Sequence, residues 1–135
     1  MKYTFDVAFL PCEALKKHDA RIVVDLLRAT TQITTFFDMG GEVLVPVTEV
    51  DEAFAMRDKL GEDWKIMGER GGLPAPGFDF GNSPLELQAA GAPEHAIITT
   101  SNGTRAITRA VQNPALKHNL TTPPHTHACY LLCIH

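Results

Sequence analysis

Met67–Leu87 reads MGERGGLPAPGFDFGNSPLEL and interrupts an otherwise regular chain with glycines and prolines. No helical or alternating apolar period runs through Gly71–Gly81, because its apolar residues recur at irregular intervals. Leu73, Phe78 and Phe80 are nevertheless too apolar for a solvated linker. Since a long loop inside a compact domain is commonly a binding or lid segment, we predict an ordered active-site loop here.

Regular elements flank this loop on both sides. Ser83 is predicted to cap the helix that follows, with Pro84 in its first turn and Glu86 closing a capping box. Thr48 predicts the start of an amphipathic helix before the loop in the same way. The remaining patterns predict a helix from Thr30 to Gly40, a helix over residues 105–113, and strands at Tyr3–Leu10, Ala20–Leu27, Glu42–Val47, Trp64–Met67 and His95–Thr100.

This alternation predicts an α/β layered domain with a mainly parallel sheet flanked by helices. We assign residues 1–113 to that domain and residues 114–135 to an irregular tail, to which the pattern gives no place in the sheet. The tail allows a different interpretation as a zinc-binding interaction module, although its spacing matches no zinc module. The ligands would be His125, His127, Cys129, Cys133 and His135.

The composition is that of an ordinary globular domain and restricts the partners. A net charge of −4 and a pI near 5.8 give no basic surface for nucleic acid. No apolar run approaches the roughly 18 residues of a membrane span, and the first residues lack the features of a signal peptide. Three cysteines in a chain of this size favour reduced thiols and a cytoplasmic location.

Polar residues cluster where the predicted strands end, which is where ligands bind in open α/β sheets. Three carboxylates, on Asp25, Glu69 and Asp79, are hard oxygen donors that suit Mg²⁺. Arg28 and Arg70 can form bidentate hydrogen bonds with a phosphate or sulfonate. Helix starts near Thr30, Ser83 and Thr104 offer free backbone N–H groups to an anion. We therefore expect one rim that forms a metal-assisted phosphoryl or other polyanion site.

Each of these features also has a purely structural interpretation. Asp25 could pair with a nearby backbone amide, and Glu69 with Arg70 could be a surface ion pair. Ser83 is a normal capping residue, and Asn102-Gly103 is a common turn. The hypothesis of a site therefore depends on the side chains sharing a rim, and not on any one motif.

Four segments, VVDLLRATT, GERGG, GFDFGNSP and TTSNGTRA, occur in this order between Val23 and Ala106. With them the chain, from roughly Tyr3 to Gln112, resembles the 2-phosphosulfolactate phosphatase family. The resemblance implies an α/β fold and Mg²⁺-dependent hydrolysis of (R)-2-phospho-3-sulfolactate to 3-sulfolactate and phosphate, in coenzyme M biosynthesis. The implied partner is a small phosphorylated sulfonate, without nucleic acid or membrane, and formation of a homo-oligomer stays open.

The resemblance also implies roles for individual residues. The catalytic residues would be Asp25, Arg28, Glu69 and Asp79, of which the three carboxylates would hold the metal. The substrate-binding residues would be Thr30, Thr31, Arg70, Asn82, Ser83, Asn102, Gly103 and Thr104. Arg28 and Arg70 would hold the anions, while Asn102 and Thr104 would orient a phosphate oxygen.

The chain departs from the family after the helix that follows Asn102. Family members continue there with further strands and helices, whereas residues 114–135 resemble none of them. An incomplete sheet with exposed edges is expected on this basis. The alternative function is therefore a truncated, inactive domain of the same family that binds a small anion.

Overall fold

The structure is a computed structural model and describes residues 5–10, 12–13, 21–111 and 130–131. Strands and helices alternate along it, which confirms the α/β class. The strands are β1 (Ile22–Val23), β2 (Val43–Pro46), β3 (Lys65–Gly68), β4 (His95–Thr99) and β5 (Tyr130–Leu131). The helices are α1 (Ala29–Asp38), α2 (Val50–Leu60), α3 (Pro84–Ala90) and α4 (Gly103–Val111). None of the helices in these ranges is long and apolar enough to span a bilayer.

The main sheet has three parallel strands in the order β2-β4-β3. Ile97 in the central strand lies between Val45 of β2 and Ile66 of β3, and the register continues to the ends of the strands. Because all three strands run in the same direction, their carboxyl ends meet at one edge of the sheet. We call this the carboxyl edge.

Helices cover both faces of the sheet, and the alternation of side chains along each strand divides the core between them. Ile66 and Ile97 pack against Ala53 of α2 on one face. On the other face a larger cluster joins the sheet to α1, α3 and α4, and it includes Ile33, Phe36, Met67, Leu87, Ile98 and Ile107. Burying each such side chain contributes about 1.5–3 kcal/mol, so these two clusters fix the sheet and with it the carboxyl edge.

The loop after β3 is held along that strand. Its Asp79 N–H donates to the Ile66 carbonyl at 2.9 Å, and the Gly68 N–H donates to the Phe80 carbonyl at 3.2 Å. Phe78 packs edge-on against Phe54 of α2, with 5.9 Å between the ring centroids. These contacts account for Phe78 and Phe80 in the loop, whereas Leu73, which the sequence suggested was also anchored, is 72% exposed.

Two predicted strands differ from the structure. Residues 5–10 form no strand, and Phe5 and Phe9 are each 86% exposed; residues 3–4 lie outside the described residues. An alternating pattern produces a strand only where a neighbouring strand accepts its hydrogen bonds. The predicted strand at residues 20–27 is reduced to Ile22–Val23, because the chain turns at Asp25 to begin α1.

Two helix starts also differ from the predicted capping. Ser83 precedes α3 as expected, but its side chain makes no capping hydrogen bond, and Glu86 accepts from the Gly81 N–H at 2.6 Å. At α2 a glutamate is again the acceptor, in place of the predicted capping by Thr48. The N–H and hydroxyl of Thr48 both donate to the carboxylate of Glu52, at 3.0 and 3.2 Å. In both cases a glutamate carboxylate, and not a serine or threonine hydroxyl, accepts the hydrogen bond that holds the preceding turn.

Most of the tail lies outside the described residues, so the division at residue 113 and the zinc interpretation stay predictions. The described part is Tyr130–Leu131, which pairs in parallel with Ile22–Val23 in a separate two-stranded sheet. This pairing leaves the order of the main sheet unchanged.

Candidate functional site

Arg70 links the carboxyl ends of the three main strands through hydrogen bonds. Its guanidinium donates to the Glu69 carbonyl after β3 at 2.7 Å, to the Thr48 carbonyl after β2 at 2.8 Å and to the Thr99 hydroxyl of β4 at 2.7 Å. A guanidinium has five N–H donors, so donors remain for an anion. Arg70 therefore places a fixed positive charge at the middle of the carboxyl edge.

A close approach between β3 and β4 makes this arrangement possible. Gly68 has a φ of +136°, and a Cβ atom there would collide with the backbone of Thr99. Only glycine fits such a position without strain, since L side chains rarely adopt this conformation. The glycine of the GERGG motif therefore brings Glu69 and Arg70 directly against the end of β4.

The Glu69 carboxylate joins the loop after β3 to the turn after β4. It accepts from the Ser101 N–H at 2.8 Å, the Ser101 hydroxyl at 3.1 Å and the Gly72 N–H at 2.8 Å. Burial favours a higher pKa for Glu69, but the hydrogen bonds from Ser101 and Gly72, with the charge of Arg70, outweigh burial. The net effect lowers the pKa of Glu69, so this carboxylate is ionised at neutral pH.

Asp25 lies at the start of α4, beside the same turn. A side chain on Gly103 would collide with the Asp25 carboxylate and with Ala29. Burial raises the pKa of Asp25, the Ala29 N–H lowers it, and the negative charge of Glu69 raises it again. The net direction is upward. Asp25 therefore lies near enough to Glu69 for the two negative charges to repel each other.

The threonines at the start of α1 hold the turn that carries Asp25. The hydroxyl of fully buried Thr30 donates to the Asp25 carbonyl at 2.7 Å and accepts from the Asp25 N–H at 3.2 Å. The Thr31 hydroxyl donates to the Leu26 carbonyl at 3.0 Å. These hydrogen bonds explain why threonines occur at this helix start although their helix propensity is low. Thr30 and Thr31 thus position the turn, whether or not they also contact a substrate.

A second pair of threonines caps α4. The Thr104 N–H donates to the Thr100 hydroxyl, and the Thr100 N–H donates to the Thr104 hydroxyl, each at 3.0 Å. Asn102 is exposed in the turn between them, with Gly103 buried beneath it. The resemblance matched Thr100 to this edge, whereas the sequence prediction gave no site role to Thr48, Thr99 or Ser101. The uninterrupted polar run TTSNGT was the available signal for two of these three.

Asp79 is not brought to Asp25 and Glu69, contrary to the expected set of three carboxylates. Its carboxylate accepts from the Ile66 N–H at 2.8 Å and pairs with Arg57 at 3.4 Å. Ile66 precedes Glu69 by three residues on β3, so Asp79 lies back along the strand from the carboxyl edge. The physical reason is that β3 is an outer strand of the main sheet, and the returning loop supplies an acceptor for its backbone.

The other predicted residues are divided between the edge and the helix layer. Arg28 lies over the glycine loop, with its guanidinium 3.5 Å from the Gly72 carbonyl. Asn82 is only 6% exposed, and its Oδ1 has no partner among the described residues. Gln32 of α1 donates to the adjacent Gly81 carbonyl at 3.4 Å. Asn82 therefore follows the point where the loop contacts α1, and Ser83 precedes α3.

Asp25 and Glu69 form a donor set that fits a hard divalent cation. Mg²⁺ binds one or two carboxylates together with water and substrate oxygens. Burial, and to a smaller extent the charge of Glu69, raise the pKa of Asp25, and a bound cation would favour its ionised form again. Within the described ranges, the closest group of three metal-ligating side chains is a different one, Glu42, Glu94 and His95, at the amino ends of β2 and β4.

Comparison with known proteins gives a consistent result. A family model described as 2-phosphosulpholactate phosphatase matches residues 9–118. Proteins named "Probable 2-phosphosulfolactate phosphatase" from Carboxydothermus hydrogenoformans, Deinococcus radiodurans and Thermus thermophilus are 44%, 43% and 41% identical over 78%, 70% and 78% of this chain. The matches cover 44%, 39% and 43% of those proteins. The chain thus spans about two fifths of the length of the curated relatives it matches.

Proposed function

Because the chain belongs to the 2-phosphosulpholactate phosphatase family, we propose that it hydrolyses 2-phospho-3-sulfolactate to 3-sulfolactate and phosphate with the help of Mg²⁺. The single observation that carries this proposal is that Glu69 and Arg70 are fixed at the carboxyl edge, while the Asp25 carboxylate abuts Gly103 in the same turn whose Ser101 binds Glu69. Two carboxylates beside a fixed guanidinium suit a phosphate ester that needs both a cation and an arginine.

Asp25 and Glu69 are the residues that would hold the metal. When bound, Mg²⁺ would neutralise charge on the phosphoryl and leaving oxygens. Glu69 is kept ionised for this task by the hydrogen bonds from Ser101 and Gly72. Asp79 is left out of the metal set, because its carboxylate lies against the Ile66 N–H, back along β3 from the carboxyl edge.

Arg70, Arg28 and Asn102 would hold the anionic groups of the substrate. Arg70 is positioned by three hydrogen bonds and keeps unused donors, so it can bind a phosphate oxygen without losing its place. Arg28 is half-buried beside the Gly72 carbonyl, and Asn102 is exposed in the turn after β4, so each can contribute donors from a different side of the edge. Thr30 and Thr104 act by fixing the turns on which Asp25 and Asn102 lie.

The test is phosphate release from (R)-2-phospho-3-sulfolactate, measured with Mg²⁺ and again with excess chelator. The proposal predicts release that depends on Mg²⁺ and is lost in Glu69→Gln. Release that is unaffected by chelator would contradict the metal-assisted reaction.

Binding of a small anion without hydrolysis is the second candidate function. It is favoured by the preformed donors of Arg70, which need no metal to attract an anion. Calorimetric binding of phosphosulfolactate with no phosphate release would select it over hydrolysis. We place either activity in the cytoplasm, in keeping with the free thiol of Cys12.

A further inference from the structure

An open depression of about 440 Å³ lies beside α4, next to the carboxyl edge. Its lining includes Thr48 from the end of β2, Asn102 and Arg105 from the start of α4, and Thr108 with Arg109 from the following turn. A volume of this size lies within the range of small-molecule sites. None of the roles assigned so far to Asp25, Glu69 or Arg70 uses this depression.

The depression is cationic although the whole chain carries a net charge of −4. Arg105 and Arg109 are four residues apart on α4, so their side chains lie on one face of the helix. Arg105 pairs with Glu49, whose carboxylate is 3.1 Å from its guanidinium, and the Glu13 carboxylate accepts from the N–H of Leu10, which also lines the depression. Both side chains of this pair are more than half exposed, so the pair is weak and an anion in the depression can displace Glu49.

Two further groups in the lining can take part in binding a ligand. The Arg109 guanidinium donates to the Glu13 carbonyl at 3.0 Å, which positions it and leaves other donors unused. The Thr108 hydroxyl is buried and has no hydrogen-bond partner in the part of the chain that the structure describes. A buried hydroxyl without a partner is unfavourable, and an oxyanion in the depression would supply the missing acceptor.

The depression shares a wall with the proposed phosphoryl site. Thr48 lines it, and the Thr48 carbonyl accepts a hydrogen bond from Arg70. Asn102 also lines it and directly follows Ser101, whose N–H donates to Glu69. A ligand with its phosphate at Glu69 and Arg70 can therefore extend past Thr48 and Asn102 toward α4.

We propose that this depression is the subsite for the sulfonate of the substrate, with Arg105 and Arg109 as its specificity-determining residues. The inference rests on the proposed function, which supplies a substrate with phosphate at one position and sulfonate at another. Planar guanidinium groups bind tetrahedral oxyanions through paired, charge-assisted hydrogen bonds. Arg70 and the metal-binding carboxylates act on the phosphate, and Arg105 and Arg109 select the group that distinguishes this substrate from other phosphate esters.

The experiment compares two phosphate esters and one product. Phosphate release is measured from 2-phospho-3-sulfolactate and from 2-phospholactate, which lacks the sulfonate, and calorimetry measures binding of 3-sulfolactate. Arg105→Gln and Arg109→Gln are each expected to raise KM for the sulfonate ester and Kd for sulfolactate by about 10-fold or more, from the loss of charged hydrogen bonds. KM for 2-phospholactate should change less than about 2-fold, since only the sulfonate contact is lost.

Two control variants separate a specific contact from a general effect of charge or folding. Lys59→Gln removes a positive charge from α2, on the opposite face of the sheet, and should leave sulfolactate binding unchanged. Glu49→Gln releases Arg105 from its ion pair and should tighten sulfolactate binding. Thermal unfolding of each variant checks that the fold is retained.

Two results would overturn the subsite. One is an equal increase in KM for the two esters, and the other is a Kd for sulfolactate that neither arginine variant changes. Failure of the proposed function gives a different result. In that case the wild-type chain releases no phosphate from either ester, while sulfolactate still binds and still depends on Arg105 and Arg109. Such a result would keep the subsite and remove the hydrolysis.

Discussion

The carboxylate of Glu69 accepts hydrogen bonds from both the backbone N–H and the hydroxyl of Ser101, at 2.8 and 3.1 Å. These bonds join the loop that leaves β3 to the turn that leaves β4, across the carboxyl edge. A residue proposed to hold the metal is therefore also a structural link between two strands. Substitution at Glu69 should affect stability and metal binding together, and the two effects can be measured separately.

Glu69→Gln should lower the free energy of unfolding by about 1–3 kcal/mol at pH 7, because one charged acceptor oxygen becomes a neutral one and the other becomes an NH2 group that cannot accept from Ser101 or Gly72. Urea unfolding of the two proteins checks this. Ser101→Ala removes only the hydroxyl bond and is the milder control, with an expected loss of about 1 kcal/mol. A Glu69→Gln protein as stable as wild type would show that these bonds do not stabilise the fold.

The stabilising effect of Glu69 should depend on pH. Its pKa is lowered on folding, so its charge stabilises the fold above the ordinary value of 4.5, and this stability is lost as the pH falls through the lower folded pKa. The difference in unfolding free energy between wild type and Glu69→Gln should therefore be largest near neutral pH. It should shrink in urea titrations repeated at progressively lower pH below 4.5. A constant difference across this range would contradict the lowered pKa.

Asp25→Asn should have the opposite effect on stability. The pKa of Asp25 is raised on folding, so its negative charge destabilises the fold. This destabilisation is absent below the ordinary pKa of 3.8 and reaches its full size above the folded pKa. Removing the charge should stabilise the apo chain at pH 7, by less than about 1 kcal/mol because the group is partly solvated. The same variant should lose Mg²⁺ binding. Destabilisation at pH 7 would show that the Asp25 charge is compensated within the fold.

Gly103→Ala tests the packing between Asp25 and α4. The added methyl group would collide with the Asp25 carboxylate and with Ala29, so the turn must shift. We expect a loss of about 1–3 kcal/mol in unfolding free energy, as for other overpacked sites. Asn102→Ala, in the same turn but exposed, should change stability by less than about 0.5 kcal/mol. Equal effects of the two variants would argue against this contact.

Much of the region from Glu42 to Val111 could be predicted from the sequence. Its strands are short apolar runs buried on both faces, and glycines at Gly61 and Gly91 mark the ends of helices, so local pattern and tertiary packing agree. The strand prediction is wrong for residues 5–10, because alternation does not reveal whether a partner strand is present. Strand pairing is a long-range property that a local pattern cannot contain.

The candidate site was predicted in part, for a similar reason. The rule that ligands bind beyond strand carboxyl ends places Glu69 and Arg70 beside the turn at Asn102, and the structure has this arrangement. The rule fails for Asp79, because it does not show that the loop turns back along β3 to Ile66. Arg105 and Arg109 were not predicted as site residues, since on a helix they look like an ordinary solvated face.

Asp79→Ala should separate a structural carboxylate from the metal-binding pair. The change leaves the Ile66 N–H without its acceptor and Arg57 without its partner, so the free energy of unfolding should fall by about 1–3 kcal/mol. Urea unfolding measures this loss. Phosphosulfolactate hydrolysis per folded molecule should be retained. Unchanged stability together with abolished hydrolysis would place Asp79 in the chemistry.

Calorimetric titration of Mg²⁺ into the folded wild-type chain and into Asp25→Asn, Glu69→Gln and Asp79→Ala tests the central claim most directly. We predict one binding event in wild type and in Asp79→Ala, with affinity reduced at least about 10-fold in the other two variants, since each removes one of two carboxylate ligands. Binding that survives in Asp25→Asn and Glu69→Gln but disappears in Asp79→Ala would contradict a metal site at the carboxyl edge.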